Sequence, residues 1–242
     1  MKQWKRLAAL SSAIVMAAAT LTYFPNDTLQ NIRLEISASA ETTTEPQVWI
    51  EDNLTWKLDA DGTMTISGTG AMKEDYNIYY SPAYDNKNIK KVVIEDGVTS
   101  IGNYAFCECN NLESITISNS VISIGDSAFS DCSNLASIEI PSGVTSIGSS
   151  AFYNCTSLTS ITIPDGVTSI RSSAFENCSN LAIIEIPNGV TSIENNAFSG
   201  CTGLISIEIP DSVRSIGFFV FSNCSSLTSI IIPNSVTRIE WD

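Results

Sequence analysis

A repeated unit of 23 residues constrains the fold of this chain more than any other feature of its sequence. Residues 144–164, VTSIGSSAFYNCTSLTSITIP, are a representative copy. Phenylalanine recurs at a fixed position, cysteine follows three residues later, and leucine follows after three more. The three series are Phe106, Phe129, Phe152, Phe175, Phe198 and Phe221; Cys109, Cys132, Cys155, Cys178, Cys201 and Cys224; and Leu112, Leu135, Leu158, Leu181, Leu204 and Leu227. Such a period is typical of a solenoid, because one copy is too small to bury its own apolar residues and must stack on its neighbours.

Each copy contains two segments that predict strands and one that predicts a turn. The β-branched segments VTSI and LTSITI favour strands. The intervening GSSAFYNC begins with serines and has no β-branched residue, so it predicts a short helix or 3₁₀ turn. A proline closes the second strand, where its missing N–H costs no ladder bond. Stacked copies should therefore form parallel β ladders, with successive coils about 4.8 Å apart.

The motif LxxIxIPxxVxxIxxxAFxxC resembles the leucine-rich repeat of the BspA-like bacterial surface-protein family. The resemblance covers residues 92–242 as six repeats and a partial seventh. Three departures are Ser118 in place of proline, Val220 in place of alanine, and Ile183 in place of a strand serine. The resemblance implies a leucine-rich-repeat solenoid with short helical or 3₁₀ turns. It also implies attachment to proteins of the host matrix or of other cells.

The N-terminal region predicts export. Three basic residues lie among the first six and precede an apolar, alanine-rich run, which is the layout of a secretory signal peptide. We expect a signal peptide over residues 1–40, with cleavage after Ala40 favoured over Ala19, and a linker over 41–46. The apolar run is short for a membrane span, so we expect no membrane insertion after cleavage. The predicted location is secreted or on the bacterial cell surface.

Residues 47–91 lack the repeat and predict a small β cap for the first coil. Leu54, Trp56 and Leu58 alternate with polar residues, and the DADG of residues 59–62 follows them, which predicts a β-hairpin. The DADG segment also resembles the start of a calcium loop, but the downstream acidic ligand is missing, so we predict no metal site.

Aromatic residues are concentrated in the cap region. They are Trp49, Trp56, Tyr76, Tyr79, Tyr80 and Tyr84. One interpretation is a sugar-stacking patch centred on Tyr79 and Tyr80. The favoured interpretation is a cap core together with a loop that packs on the first coil.

Charge and composition exclude several functional classes. The chain has no histidine and a formal net charge of −14; removal of residues 1–40, with four basic and two acidic residues, would leave −16. An acidic chain is a poor partner for nucleic acid or an anionic membrane. Catalytic triads that depend on histidine are excluded. We therefore predict a protein that is not an enzyme and that has no cofactor.

Six of the seven cysteines occupy one repeat position, so they should form a buried column of unpaired thiols that serve as small apolar fillers. Cys107 is out of register, and we expect it to be exposed or paired with Cys109. A metal site is not predicted, because histidine and CxxC spacing are both absent.

Alternation along the second strand of each repeat predicts an exposed, concave face of hydroxyl and carboxylate groups. Its residues are the candidate binding site. They are Thr116, Glu139, Thr162, Glu185, Glu208, Ser137, Ser160 and Ser206. Glu185 and Glu208 should lie about 5 Å apart, a separation that also fits the carboxylate pair of a retaining glycosidase. A solvated binding face is the favoured interpretation, because no second catalytic constellation accompanies the pair.

Phe218 and Phe219 replace polar residues of the other repeats on the turn side. They would form an exposed apolar patch for docking, or a further segment would cover them. We favour the covered arrangement, because the chain ends at Asp242 part-way through a repeat, which predicts a truncated solenoid.

The sequence therefore predicts an exported, non-enzymatic binding or adhesion protein. One alternative is a carbohydrate-binding or glycan-processing accessory protein that uses Tyr79 and Tyr80 or the pair Glu185 and Glu208. Another is a spacer that carries a C-terminal module.

Overall fold

The computed structural model describes residues 45–74 and 81–240, which form strands and turns. The predicted signal peptide, most of the predicted linker, and Tyr76, Tyr79 and Tyr80 lie outside these ranges. Within them, no helix has the length and hydropathy needed to cross a membrane. The N-terminal strands are β1 (Gln47–Glu51), β2 (Leu54–Leu58), β3 (Thr63–Gly68) and β4 (Gly70–Ala71).

Each later coil contributes up to two short strands. The first set is β5 (Lys91–Ile94), β7 (Ser114–Ile117), β9 (Ser137–Ile138), β11 (Ser160–Thr162), β13 (Ile183–Glu185) and β15 (Ser206–Glu208). The second set is β6 (Val98–Ile101), β8 (Ser123–Ile124), β10 (Ser146–Ile147), β12 (Ser169–Ile170), β14 (Ser192–Ile193), β16 (Ser215–Ile216) and β17 (Arg238–Ile239).

The cap and the solenoid share one sheet. Strands β1, β2 and β3 pair antiparallel, and β3 then pairs parallel with β5, which pairs parallel with β7. The predicted hairpin between β2 and β3 is confirmed, with Gly62 at φ +88° in its turn. Asp61 in this turn accepts hydrogen bonds from the Thr63 N–H and hydroxyl. These bonds lower the pKa of the Asp61 carboxyl, the backbone N–H being the main cause.

Parallel ladders continue along the repeat and confirm the predicted solenoid. One sheet has the order β15-β13-β11-β9, with Ile161 paired to Ile184 and Ile184 paired to Ile207. The second strands form two sheets, β10-β8-β6-β4 and β12-β14-β16-β17. The same repeat positions meet at each step because the period has no insertion or deletion. Each apolar column therefore stays buried through the internal coils, whereas in the last coil Phe221 and Leu227 are only half-buried.

The prediction of a helix or 3₁₀ turn between the strands is wrong. In the third coil, Ser150 and Asn154 have φ values of +55° and +56°, and the segment folds as consecutive turns. Phe152 N–H donates to Ala174 O of the next coil at 2.9 Å, whereas Tyr153 N–H donates to Ser150 O of its own coil at 3.0 Å. In a helix, the Phe152 N–H would also donate to a carbonyl of its own segment and would not be available to the next coil. The turn conformation is favoured over a helix because its alternate N–H groups form hydrogen bonds between neighbouring coils.

A column of stacked phenylalanines forms the centre of the solenoid. From Phe106 to Phe221, the centroids of consecutive phenylalanine rings lie 5.5–5.9 Å apart, and the interplanar angles are 4–9°. Trp56 of the cap extends the column, its ring centroid lying 5.6 Å from that of Phe106. The cap therefore covers the first phenylalanine, and Trp56 has a structural role in it.

The segment before β5 takes the place of a further coil. Ala83 lies one period before Phe106, and Cys109 Sγ–H donates to Ala83 O at 3.0 Å. The Ser81 hydroxyl donates to Ala105 O, and Tyr84 Oη–H donates to Glu108 Oε1 at 3.0 Å. Tyr84 therefore fastens this segment to the first coil.

The expectation that Cys107 is exposed or paired with Cys109 is wrong. Cys107 is buried and free, because the preceding segment lies across its coil and Asp85 N–H donates to Cys107 O at 3.2 Å. Burial is the main cause that raises the pKa of the Cys107 thiol to about 11.

The six repeated cysteines are free and buried, as predicted. Each Sγ–H also has a specific bond: Cys155 Sγ–H donates to Phe129 O of the preceding coil at 3.1 Å, and the other five bond in the same way. Burial raises the pKa of these thiols, to about 12 for Cys109. The column is therefore unreactive at neutral pH, because the thiolate is the nucleophile.

Removal of a central ring should destabilise the protein more than removal of a terminal one. Phe152→Ala should lower the free energy of unfolding by about 3–5 kcal/mol, because the cavity lies between two stacked rings. Phe221→Ala should cost less, because Phe221 is only half-buried and stacks on Phe198 alone. Urea denaturation followed by circular dichroism measures both, and equal losses would contradict the stacked column.

Thiol labelling should separate native from unfolded protein. The native chain should react negligibly with a thiol reagent at pH 7, and all seven cysteines should react in denaturant. Raising the pH toward 11 should increase native labelling at Cys107 first, because the pKa of its thiol is about 11 whereas that of Cys109 is about 12. Rapid native labelling at pH 7, detected by mass spectrometry, would contradict the buried column.

Candidate binding surfaces

The exposed side of the β9, β11, β13 and β15 sheet carries most of the predicted binding residues, and we call it the acidic face. Thr162 pairs with Glu185, and Glu185 pairs with Glu208, so these three side chains form one column on neighbouring strands. Ile161, Ile184 and Ile207 alternate with them and point into the core. The acidic face is therefore held in place by buried neighbours on every strand.

All eight predicted residues are exposed, and seven belong to the acidic face. These seven are Ser137, Glu139, Ser160, Thr162, Glu185, Ser206 and Glu208, with Glu139 immediately after the end of β9. Thr116 lies on β7, which belongs to the sheet shared with the cap. The predicted set is thus continuous along the coils but spans two sheets.

The pair Glu185 and Glu208 is open to solvent. Both side chains are exposed, and neither of the two cavities described below includes them. A glycosidase pair acts on a substrate enclosed between two carboxyl groups in a shaped site. The two glutamates instead form part of an open, solvent-exposed strand surface.

Sequence reasoning missed an apolar part of this surface. Ile183, Ile205 and Ile231 have 63%, 61% and 84% of their surface exposed. Comparison of the exposed columns across coils places Ile183 and Ile231 among their members, but the predicted site includes neither. Ile205, in the column just before the strand, was not recognised.

A shallow groove lies on the second-strand side, along β6, β8 and β10, and we call it the serine groove. It has a volume of about 260 Å³ and is lined by the hydroxyl-bearing residues Ser100, Ser123 and Ser146, with Asp126 in its middle coil and Arg171 at its C-terminal end. A second cavity of about 230 Å³ lies further along the same side, beside Glu194 and Gly217. Both are polar.

Side-chain bonds between coils explain why glycines form the floor of the serine groove. Asn103 Oδ1 accepts the Asp126 N–H at 2.7 Å, and Asp126 Oδ1 accepts the Ser149 N–H at 2.7 Å. A Cβ on Gly125 would lie 2.5 Å from Asn103 Oδ1, so that bond requires glycine at position 125. The groove is open where this requirement removes side chains.

Three coils after Gly125 the equivalent space is filled. Glu194 replaces the glycine, and its carboxylate accepts the Ser169 hydroxyl at 3.0 Å and the Ser172 hydroxyl and N–H at 3.1 Å. This contact shows that the serine positions on this side can donate to an acidic oxygen ligand. In the serine groove, Ser100, Ser123 and Ser146, which correspond to Ser169, line the open cavity.

The predicted aromatic patch is only partly described. Phe219 is 54% exposed and Phe218 is half-buried, with their ring centroids 6.5 Å apart. Tyr79 and Tyr80 lie outside the described residues. In the part of the chain that the structure covers, no group of three or more Cys, Asp or Glu side chains is arranged to hold a metal ion.

Comparison with known proteins identifies the repeat. A family model described as BspA type leucine rich repeat region matches residues 77–204 and 145–242, with six copies. No curated protein matches the chain. The family match begins before β5, in agreement with the coil-like position of Ala83.

Several solved structures are similar to this chain. A leucine rich cell surface protein from Faecalibacterium prausnitzii A2-165 shares 35% identity over 77% of this chain and 54% of that one, with a TM-score of 0.58. Leucine-rich repeat proteins from Eubacterium ventriosum ATCC 27560 and Bacteroides ovatus ATCC 8483 share 27% and 26% identity. They cover 78% and 79% of this chain and 66% and 60% of those, with TM-scores of 0.52 and 0.55. The chain thus spans about half to two thirds of the length of these structures.

Proposed function

The chain belongs to the BspA-type leucine-rich repeat family, and from that premise we propose that it is an exported, non-enzymatic adhesion protein. Its acidic face would bind proteins of the host matrix or of other cells. The observation that carries this proposal is the column of Thr162, Glu185 and Glu208, held exposed and in register by a buried isoleucine ladder.

The rigidity of the solenoid favours binding through a wide surface. Backbone bonds join each coil to its neighbours on both the strand and turn sides. Little conformational entropy is therefore lost when a partner binds, and many weak polar contacts can add to a useful affinity. Carboxylates on neighbouring strands would also attract basic partners and speed their association.

The proposed location and non-enzymatic role rest on the family and on surface shape. The similar Faecalibacterium protein is described as a cell surface protein. The glutamates of the acidic face are exposed and lie outside both cavities, whereas a reaction needs groups that converge on an enclosed substrate. The signal peptide predicted over residues 1–40 would deliver the chain to the surface.

Neutralising the acidic face should weaken attachment. The triple variant Glu139→Gln, Glu185→Gln and Glu208→Gln should bind immobilised matrix proteins about tenfold more weakly at low salt, because three charge contacts are lost. Its binding should also depend less on ionic strength. Surface plasmon resonance against a panel of matrix proteins and glycans measures both effects.

The matched control is the triple variant Glu95→Gln, Asp165→Asn and Asp211→Asn. It removes the same charge from exposed loop positions outside the acidic face. It should bind like the original chain. Equal weakening of both triple variants would show that total charge, and not the acidic face, governs attachment.

A glycan-binding role is a second candidate, and the serine groove is the observation that favours it. The groove offers three hydroxyls, the Asp126 carboxylate and the Arg171 guanidinium, which together can donate to and accept from a polyhydroxylated ligand. The carboxylate of Glu194, which fills the equivalent space further along the same side, indicates that an acidic sugar would suit the groove.

Loss of the groove arginine should separate this candidate from the first. Arg171→Gln should reduce binding of oligogalacturonate about tenfold, because the guanidinium would contact a sugar carboxylate. Arg214→Gln is the control, since Arg214 is exposed outside both cavities. Isothermal titration calorimetry measures both. Equal affinity of Arg171→Gln and the original chain would remove the glycan candidate.

A further inference from the structure

The repeat provides its own comparison for the exposed isoleucines. The column that contains Ile183 is otherwise serine, at Ser114, Ser137, Ser160, Ser206 and Ser229. From the coil of Thr116 onward, the column that contains Ile205 otherwise carries Glu, Ala or Thr, and the column that contains Ile231 otherwise carries Glu or Thr, with Val93 at its N-terminal end. Stacking does not require isoleucine at these positions, because the other coils stack with small or polar residues there. The substitutions fall in three successive coils: Ile183 lies on β13 of the acidic face, Ile205 immediately before β15, and Ile231 one coil beyond β15.

These three residues, Ile183, Ile205 and Ile231, define an isoleucine patch. Ile183 on β13 pairs with Ser206, the first residue of β15, and Ile205 immediately precedes that residue, so Ile205 lies diagonally next to Ile183 at the start of the neighbouring strand. Ile231 lies one period after Glu208 and is the most exposed of the three. Single exposed apolar residues are common on soluble proteins, but a contiguous group on a sheet face marks an interaction site.

Carboxylates border the isoleucine patch and decide what can cover it. Glu185 follows Ile183 by two residues on the same exposed side, and Glu208 pairs with Glu185. A second copy of this chain would bring the same carboxylates to the contact, and both copies carry a net charge of −14. Like charges at a desolvated interface are unfavourable. The patch is therefore complementary to a different partner, one that is both apolar and basic.

We propose that the isoleucine patch is the anchor point of the acidic face and that it binds a basic amphipathic helix of a partner protein. The apolar stripe of such a helix would cover the three isoleucines. Lysines at the edges of the stripe would reach Glu185 and Glu208, since long basic side chains extend past an apolar surface. This inference rests on the proposed protein-binding function and specifies its partner.

A synthetic helical peptide with a leucine stripe flanked by lysines tests the proposal, with its binding to the full chain followed by fluorescence anisotropy. The variant Ile183→Ser with Ile205→Thr restores residues that other coils already carry, so its fold should be retained. It should bind the peptide about tenfold more weakly, because central apolar anchors dominate affinity. Ile122→Thr should bind within about twofold of the original chain. Ile122 is a matched control, 56% exposed on a second-strand side where most other coils carry threonine.

The charge requirement is tested with the same peptide. Glu185→Gln with Glu208→Gln should weaken binding and reduce its salt dependence. A peptide of the same composition with scrambled order, which lacks the apolar stripe, should bind at least about tenfold more weakly than the ordered peptide.

Three results would overturn the proposal: unchanged affinity of Ile183→Ser with Ile205→Thr, an equal loss in Ile122→Thr, or an unchanged salt dependence in the double glutamine variant. Dimerisation of the original chain in sedimentation experiments, abolished by the isoleucine variant, would also overturn it in favour of self-association. Binding of the peptide at the patch without binding of any matrix protein would support this inference while removing the proposed adhesion function.

Discussion

Stacking of each coil on the next is the constraint on which the rest of the structure depends. One 23-residue coil has a phenylalanine, a leucine and several isoleucines, but no second layer to cover them. Phenylalanine rings stacked at 5.5–5.9 Å supply that layer, and Trp56 covers the first ring. Backbone bonds on the strand and turn sides fix the coils in register. The apolar interior and the regular surface are therefore two results of one repeat.

This arrangement leaves the exposed columns free to vary. The inward positions change little because each must match its neighbours, whereas outward positions contact solvent. Glutamates, serines and isoleucines on the acidic face, and glycines or Arg171 in the serine groove, can therefore differ between coils without loss of the stack. Binding specificity in such a protein lies in departures from the repeat on its surface, and Ile183 and Ile205 are the clearest departures here.

The sequence predicted the solenoid, the β-hairpin of the cap, the phenylalanine stack and the buried cysteine column, because fixed spacing determines which residues meet. It failed where contacts between coils outweigh local preference. The turn around Ser150 and Asn154 contains no helix. These two residues have the left-handed backbone conformation, and alternate N–H groups of the turn donate to the next coil. Cys107 is buried by a preceding segment that follows the path of a coil. This segment has Ala83 where the other coils have phenylalanine, so the repeat pattern did not identify it. The serine groove was missed because it depends on the absence of side chains, which no motif records.

Hydrogen exchange of the native protein tests the stacked coil most directly. The backbone N–H groups of Phe129, Phe152 and Phe175, which donate to the next coil, should be protected to nearly the level of global unfolding. Amides of exposed loops should exchange much faster. Fast exchange of those three amides, at the rate of an unfolded peptide, would show that the coils do not bind one another as the structure requires.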